Sequence, residues 1–384
     1  MYDYAIVGNG MIGSAAGRYL SETSQSVVMI GPDEPQGDWR AHDGVFASHY
    51  DQGRITRALD STIQWAIWAQ RSLAVYRELE AKSGIKFYHP CGGIQVGLVD
   101  GDYIPRTERV ALHLGTSYQK YSGAAFGAVC PELKFSDEFT VLHEPTIAGY
   151  INPRQLVQAQ LVVAQQQGAT VVRETVSAIE PQAEGVMLTT NAGQTIRARK
   201  VLVAAGAWTE FLIGADGGCQ NLGLIPTPRT ILLAKLDSAE AQRLKNMPSI
   251  VFYEGLGNPH LSGVYLLPPI RYPDGNTYLK IGGKLHDIKV PQSAEELQAW
   301  FHTDGNPLEA QELERELFNI VDGLQPESLH VRTCVVTNQK AGHLPIIKTI
   351  VPQQVVVAAA GCGAAAKSSN EIGRLAAIKL QQHA

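Results

Sequence analysis

Three glycines, Gly8, Gly10 and Gly13, stand in the spacing G-x-G-x-x-G within the first turn of chain. They follow the apolar run Tyr4-Ala5-Ile6-Val7, which reads as a buried strand, and open a helical run from Ser14 to Leu20. A second buried strand, Val27-Val28-Met29-Ile30, comes next. Each glycine has a physical task in such a unit. The first permits a tight turn, and the second lets the backbone approach a pyrophosphate. The third lets helix and strand pack closely, so that the helix N-terminus aims free N–H groups at the phosphates. Gly17, one turn on, keeps that packing close. A dinucleotide site built on Gly8, Gly10, Met11, Ile12 and Gly13 is the expectation.

One element is off-pattern. A Rossmann site usually ends its second strand with an acid that holds the adenosine ribose. Here Ile30 is followed by Gly31-Pro32, and acids come only at Asp33 and Glu34. Asp33 is the candidate; an exposed turn is the other reading of both.

The chain has 384 residues, 45% of them hydrophobic, which favours two domains. The net charge of −5 is spread over interspersed acids and bases. No basic run suggests nucleic acid or a membrane surface, so a small-molecule partner is expected. The start shows no basic n-region or cleavage site. The longest apolar stretch, Val355 to Ala366, is broken by glycine and short of the about 20 residues a membrane helix needs. Cys91, Cys130, Cys219, Cys334 and Cys362 show no metal spacing, and a reducing cytoplasm fits them.

Helical periodicity runs from Arg54 to about Lys82, from Gln155 to Gln167 before Gly168, over 294–322, and from about Ser369 to Gln382. Strand patterns fill Gly92 to Leu98, Thr170 to Val172, Gly185 to Thr190, and several segments between Thr230 and Lys284. Ser368-Ser369-Asn370-Glu371 reads as a capping box, with Ser368 at N-cap and Glu371 at N3. The strand Val201-Leu202-Val203 runs into Ala204-Ala205-Gly206-Ala207-Trp208. A second small-residue turn of this kind, far from the first, passes near the cofactor in flavoprotein folds and has no counterpart need in NAD dehydrogenases. It favours FAD.

The order of short segments resembles the D-amino-acid-oxidase-type FAD oxidoreductases, in particular the monomeric sarcosine oxidase and N-methyltryptophan oxidase branch. The segments are the fingerprint; Asp51-Gln52-Gly53-Arg54-Ile55-Thr56-Arg57; Cys91-Gly92-Gly93-Ile94; Gly149-Tyr150-Ile151-Asn152-Pro153; Ala205-Gly206-Ala207-Trp208; Tyr278-Leu279-Lys280-Ile281-Gly282; Cys334 ahead of His343; and Gly361 to Lys367. They span essentially the whole chain.

The resemblance implies an α/β fold of the p-hydroxybenzoate-hydroxylase type. A Rossmann-type FAD domain (1–85, 150–225 and 325–384) would be roofed by a mixed-sheet substrate domain (86–149 and 226–324). It implies oxidation of a small amine or amino acid, with a secondary amine or N-alkyl amino acid favoured. Hydride would pass to flavin N5, dioxygen would become hydrogen peroxide, and water would hydrolyse the imine. A dehydrogenase of an amino or hydroxy acid passing electrons to a carrier, and a flavin-binding protein without turnover, are the alternatives. A monomer or small homo-oligomer is expected.

Residue by residue, the resemblance makes Cys334 a tether to the flavin 8α-methyl group, with Arg54 nearby to favour its thiolate; a buried strand cysteine is the plain alternative. It places Lys280 over the flavin, where a fixed cation would assist electron transfer to oxygen. Arg57 and Lys367 match a pair that binds a substrate carboxylate, a task suited to an arginine fork. Val176, Ala205, Gly206, Trp208, Gly361, Gly363 and Lys367 complete the implied cofactor contacts. This chain departs from sarcosine oxidases at Val336, where they have tyrosine, and at Lys284, where they have histidine; its Gly361–Lys367 loop is shorter. Val336 removes an aromatic wall, and Lys284 and Arg271 add positive charge. Both changes point to a larger or more anionic amino acid, or another secondary amine.

Overall fold

Two eight-stranded sheets and one small three-stranded sheet carry the chain in the computed structural model, which describes residues 1–36, 39–214 and 221–382. Cys219 lies outside the described residues. The first sheet grows from the fingerprint strand, β1 (Tyr2–Val7). This strand lies parallel between β2 (Val27–Ile30) and the strand Thr195–Val203. Thr170–Val172 extends the parallel stack beyond β2, and Val355–Ala359 extends it beyond Val203. Such strands are covered on both faces, which is why β2 and Val355–Ala359 are unbroken apolar runs. Helix α1 (Met11–Ser21) and the C-terminal helix Ser369–Gln382 pack on one face through Ala16, Leu20, Ala376 and Leu380. The carboxyl ends of β1, β2, Thr195–Val203 and Val355–Ala359 open along one edge, where α/β sheets place their ligands.

The second sheet buries its own core, in which Leu232, Leu266, Leu279 and Ile281 meet Leu313 and Leu317 of the helix Pro307–Ile320. Its edge strand, Ser328–Gln339, is paired antiparallel with Leu224–Leu236 from Ser328 to Gln339. The strand bearing Cys334 thus belongs to the second sheet, although 325–384 reads in sequence as part of the cofactor domain. Apolar alternation marks a strand but does not say which distant partner it joins.

The stretch after Arg54 departs from its helical periodicity. Arg54–Thr56 is a strand paired with Gly149–Ile151, and the helix starts only at Ile63, running to Ser83. Asp60 Oδ1 accepts a hydrogen bond from Thr62 N, an Asx turn that competes with helix at this point. The helix Pro153–Gln166 matches its sequence pattern, with Pro153 in the first turn and Asn152 accepting from Gln155 N. The 294–322 segment divides into Ala294–Phe301 and Pro307–Ile320. The capping box does not form. A 3₁₀ turn, Ala365–Ser368, leads directly into the last helix, so Ser368 sits inside the helical run and its buried Oγ has no partner. Glu371 instead pairs with Arg374 and Arg71. Among the described residues no helix is long and apolar enough to cross a membrane, and no group of acids, His and Cys could hold a metal ion.

Candidate active site

A cavity of about 1030 Å³ runs from the carboxyl edge of the first sheet to the underside of the second. At one end lie Gly8 to Ile12, Gly31 and Pro32. Gly13 is required for packing, since a Cβ there would stand 1.9 Å from the Gly8 carbonyl oxygen. Gly10 differs. Its φ of −71° suits any residue, and a Cβ on it would meet nothing nearer than His49 Nδ1 at 3.8 Å. The space in front of Gly10 is therefore open groove, as a pyrophosphate needs. Asn9 Oδ1, buried at the same turn, lacks a partner. Burial, with Arg154 and Arg54 adding to it, lowers the His49 pKa to about 3, so the ring is neutral.

Thr175 to Ser177, Ala204 to Trp208 and Gly361 to Lys367 continue the walls, so that Val176, Ala205, Gly206, Trp208, Gly361 and Gly363 line the cavity. Ala360 and Cys362 in the last loop hold φ of 63° and 48°, a left-handed conformation costly for non-glycine residues and concentrated at functional sites. Asp33 does not reach the cavity. Gly31-Pro32 carries the chain past the strand end, and Asp33 turns outward to Arg173 while Glu34 binds Arg154 at 2.6 Å.

The roof brings in Arg54 and Cys334. Arg54 NH2 lies 3.7 Å from Cys334 Sγ, while Arg54 NH1 bonds the Asp51 carboxylate. Asp51 is a hub that sequence reasoning passed over within its motif. Its Oδ1 accepts from Tyr272 OH at 2.9 Å, and its Oδ2 lies 2.5 Å from Lys280 Nζ. Lys280 is buried, also donates to the Gly53 carbonyl at 2.9 Å, and does not line the cavity. The expected cation over the cofactor thus lies one layer back, shared with Asp51. Burial, then Arg54, push its pKa well below the usual lysine range.

Arg57 and Lys367 converge as expected, from opposite ends of the sequence. Both are buried at the cavity wall, and both lie 3.2 Å from Asp60 Oδ2. Asp60 has no counterpart among the sequence candidates; its only signal was an acid three positions after Arg57. Burial alone would raise the Asp60 pKa, but Lys367 and Arg57 outweigh it and hold the carboxylate ionised. Burial lowers the Lys367 pKa to about 8 against the pull of Asp60. Arg57 Nε remains a buried donor without an acceptor. Glu144, behind the wall, accepts from Ala58 N and Leu59 N at 3.0 Å each and so fixes the backbone between Arg57 and Asp60. Burial raises its pKa to about 7. Val336 and Lys284 line the cavity, whereas Arg271 does not.

A glycine-rich strand–helix turn, a long groove and a polar roof from a second sheet together define a dinucleotide-dependent oxidoreductase of the two-domain flavoprotein class. The model of the FAD dependent oxidoreductase family known as DAO matches residues 3–377, and the chain belongs to that family. Its cofactor is FAD, for which the open groove at Gly10 and the unpartnered Asn9 Oδ1 fit. N-methyl-L-tryptophan oxidase of Yersinia pestis (strain Pestoides F) is 28% identical over 214 residues, 55% of each protein, so the chain spans about half the length of the curated relatives it matches. Among solved structures, the open form of NikD, an amino acid oxidase essential for nikkomycin biosynthesis, superimposes with a TM-score of 0.80 at 19% identity, covering 100% of this chain and 94% of that one. Glycine oxidase from Geobacillus kaustophilus gives 0.71 at 20% identity, over 99% and 95%. These likenesses establish the two-domain fold.

Proposed function

We propose that the chain is an FAD-dependent oxidase of a small amino acid or N-alkyl amino acid that carries a carboxylate. The convergence of Arg57 and Lys367 at one cavity wall carries this reading. They come from unrelated segments, they are buried, and Arg57 Nε still lacks an acceptor. Two cations fix a carboxylate at two points, and the molecule then cannot pivot. When bound, FAD supplies the hydride acceptor for the nitrogen-bearing carbon and hands the electrons to dioxygen.

The chain's own part is binding and exclusion. Gly10, Met11 and Ile12 would hold the pyrophosphate, Ala205 to Trp208 and Gly361 to Lys367 would flank the flavin, and Cys334 would tether it beside Arg54. Arg57 and Lys367 orient the substrate. Lys280 stands behind the roof, sharing the Asp51 carboxylate with the cavity-lining Arg54. We divide the chain into a cofactor part and a substrate part along the two large sheets, and assign it to a reducing cytoplasm, where the four described cysteines stay free. The Asp51–Lys280 pair favours one second reading, a dehydrogenase serving an electron carrier, because a neutralised lysine helps oxygen less.

A peroxide-release screen of the purified protein against amino acids, N-alkyl amino acids and cyclic imino acids tests the proposal. Peroxide release with a carboxylate-bearing amine supports it. Flavin reduction without peroxide in air supports the dehydrogenase, and no reduction by any of them defeats both.

A further inference from the structure

The cavity is unevenly charged. Asp60 is the one acidic side chain among its described lining residues, which include the cations Arg54, Arg57, Arg229, Lys284 and Lys367. Arg54 is answered by Asp51, and Arg57 and Lys367 share Asp60. Arg229 and Lys284 are answered by no ion pair among the described residues. The Arg229 guanidinium donates only to the Pro228 carbonyl, at 2.8 Å. Glu309 acts on it electrostatically, but from the helix Pro307–Ile320 outside the cavity, where one oxygen is committed to Thr230 N at 2.8 Å. Lys284 is exposed, at the end of the strand Thr277–Leu285.

The two cations are held by the same roof. Arg229 stands opposite Cys334 in strand register, and Ser262 Oγ donates to the Lys284 carbonyl at 3.2 Å. The pairing of Ile231 with Gly282 carries that roof toward Arg229 and Lys284, and Tyr253 lines the same cavity. A molecule clamped at Arg57 and extending along the cavity toward the roof therefore reaches two cations, Arg229 and Lys284, that form no ion pair among the described residues. A half-buried guanidinium without an ion-paired partner, Arg229, is costly to hold, and a substrate anion would relieve that cost.

We propose that Arg229 and Lys284 form a second anion subsite, so that the substrate is an amino acid carrying an additional acidic group in its side chain or N-substituent. The inference rests on the first carboxylate being held by Arg57 and Lys367.

The test uses the FAD-loaded enzyme and follows flavin absorbance during titration with acetate, succinate and glutarate. The diacids are expected to bind at least about tenfold more tightly than acetate, the gain of one further charge-assisted contact. Arg229→Leu should abolish that preference and Lys284→Gln should reduce it, with acetate binding, which reports the Arg57–Lys367 end, kept in both. Lys284→Gln alters only an exposed side chain, so it stays informative if Arg229→Leu fails to load FAD. Equal binding of acetate and both diacids by wild type, or a preference that survives both substitutions, overturns the second subsite alone. If none of the three acids perturbs the wild-type flavin, the carboxylate reading of the whole cavity falls with it.

Discussion

Asp60 Oδ2 and Lys367 Nζ lie 3.2 Å apart in a buried wall of the cavity, so the chain places a carboxylate of its own where a substrate carboxylate would be sought. The contact keeps Lys367 protonated despite burial. Its pKa of about 8 then sets a pH window for anion binding. The ammonium is present below about 8 and lost above it, so acetate affinity should fall as pH rises through that value. In Asp60→Asn the anion holding the proton is gone, the Lys367 pKa moves down, and the fall in affinity should begin at lower pH. A midpoint that stays in place in the variant would show that Asp60 does not tune Lys367.

Removing Arg57 tests the clamp from its other side. A charge-assisted hydrogen bond contributes roughly 1.5–3 kcal/mol, so Arg57→Ala should weaken acid binding about ten- to a hundredfold. Lys367→Ala should do likewise, and both variants should retain FAD. Arg57→Lys should recover only part, for want of the planar fork. Wild-type affinity for acetate in both alanine variants would refute the clamp.

The cofactor should be attached through Cys334. Cys334 lines the cavity, and its sulfur lies 3.7 Å from Arg54 NH2. Cys362 also lines the cavity, but burial raises its pKa and its thiol donates to the Ala360 carbonyl at 3.2 Å. After acid precipitation the yellow colour should stay with wild-type polypeptide and with Cys362→Ala and Cys91→Ala, and leave Cys334→Ala. Free FAD from denatured wild type would make Cys334 an ordinary strand residue.

Lys280 and Arg54 share the Asp51 carboxylate, and Lys280→Met removes one of these two basic groups. Reoxidation of the reduced enzyme by oxygen should slow at least about tenfold. Flavin reduction by substrate should change little, because Lys280 does not line the cavity. Stopped-flow separates the two half-reactions; equal reoxidation rates would remove Lys280 from the oxygen chemistry.

Gly10 and Gly13 should fail in different ways. Gly10→Val projects into the open groove, so the protein should fold and melt as the wild-type apoprotein does yet bind no FAD. Gly13→Val meets the Gly8 carbonyl and should destabilise the fold itself, by about 1–3 kcal/mol. Thermal melts and flavin content of the two variants distinguish these outcomes, and a yellow Gly10→Val would disprove the pyrophosphate site.

The cofactor half of the molecule was legible in the sequence because its signals are local. Gly8 to Gly13 act within one turn, and β1, β2 and α1 follow from contiguous apolar patterns. The helix Pro153–Gln166 likewise has its proline and its Asn152 cap in the sequence beside it. The resemblance brought Arg57 and Lys367 to one site, and the structure adds what lies between them.

What needed the tertiary structure depends on groups far apart in sequence. Ser368-Ser369-Asn370-Glu371 has the composition of a capping box, but a preceding 3₁₀ turn and Arg71 on another helix take its serine and glutamate elsewhere. In sequence Asp33 is a candidate to hold a ribose, and only its contact with Arg173 shows where it points. Lys280 reads as a strand lysine with apolar flanks; that its charge is shared with Asp51 depends on a loop more than two hundred residues earlier coming within 2.5 Å. Sequence periodicity determines which residues are strand, helix or turn, because that choice depends on near neighbours. The sharing of charge among Asp51, Asp60 and the cations around them was decided only when the two sheets closed on one cavity, because electrostatic partners are chosen by distance in space.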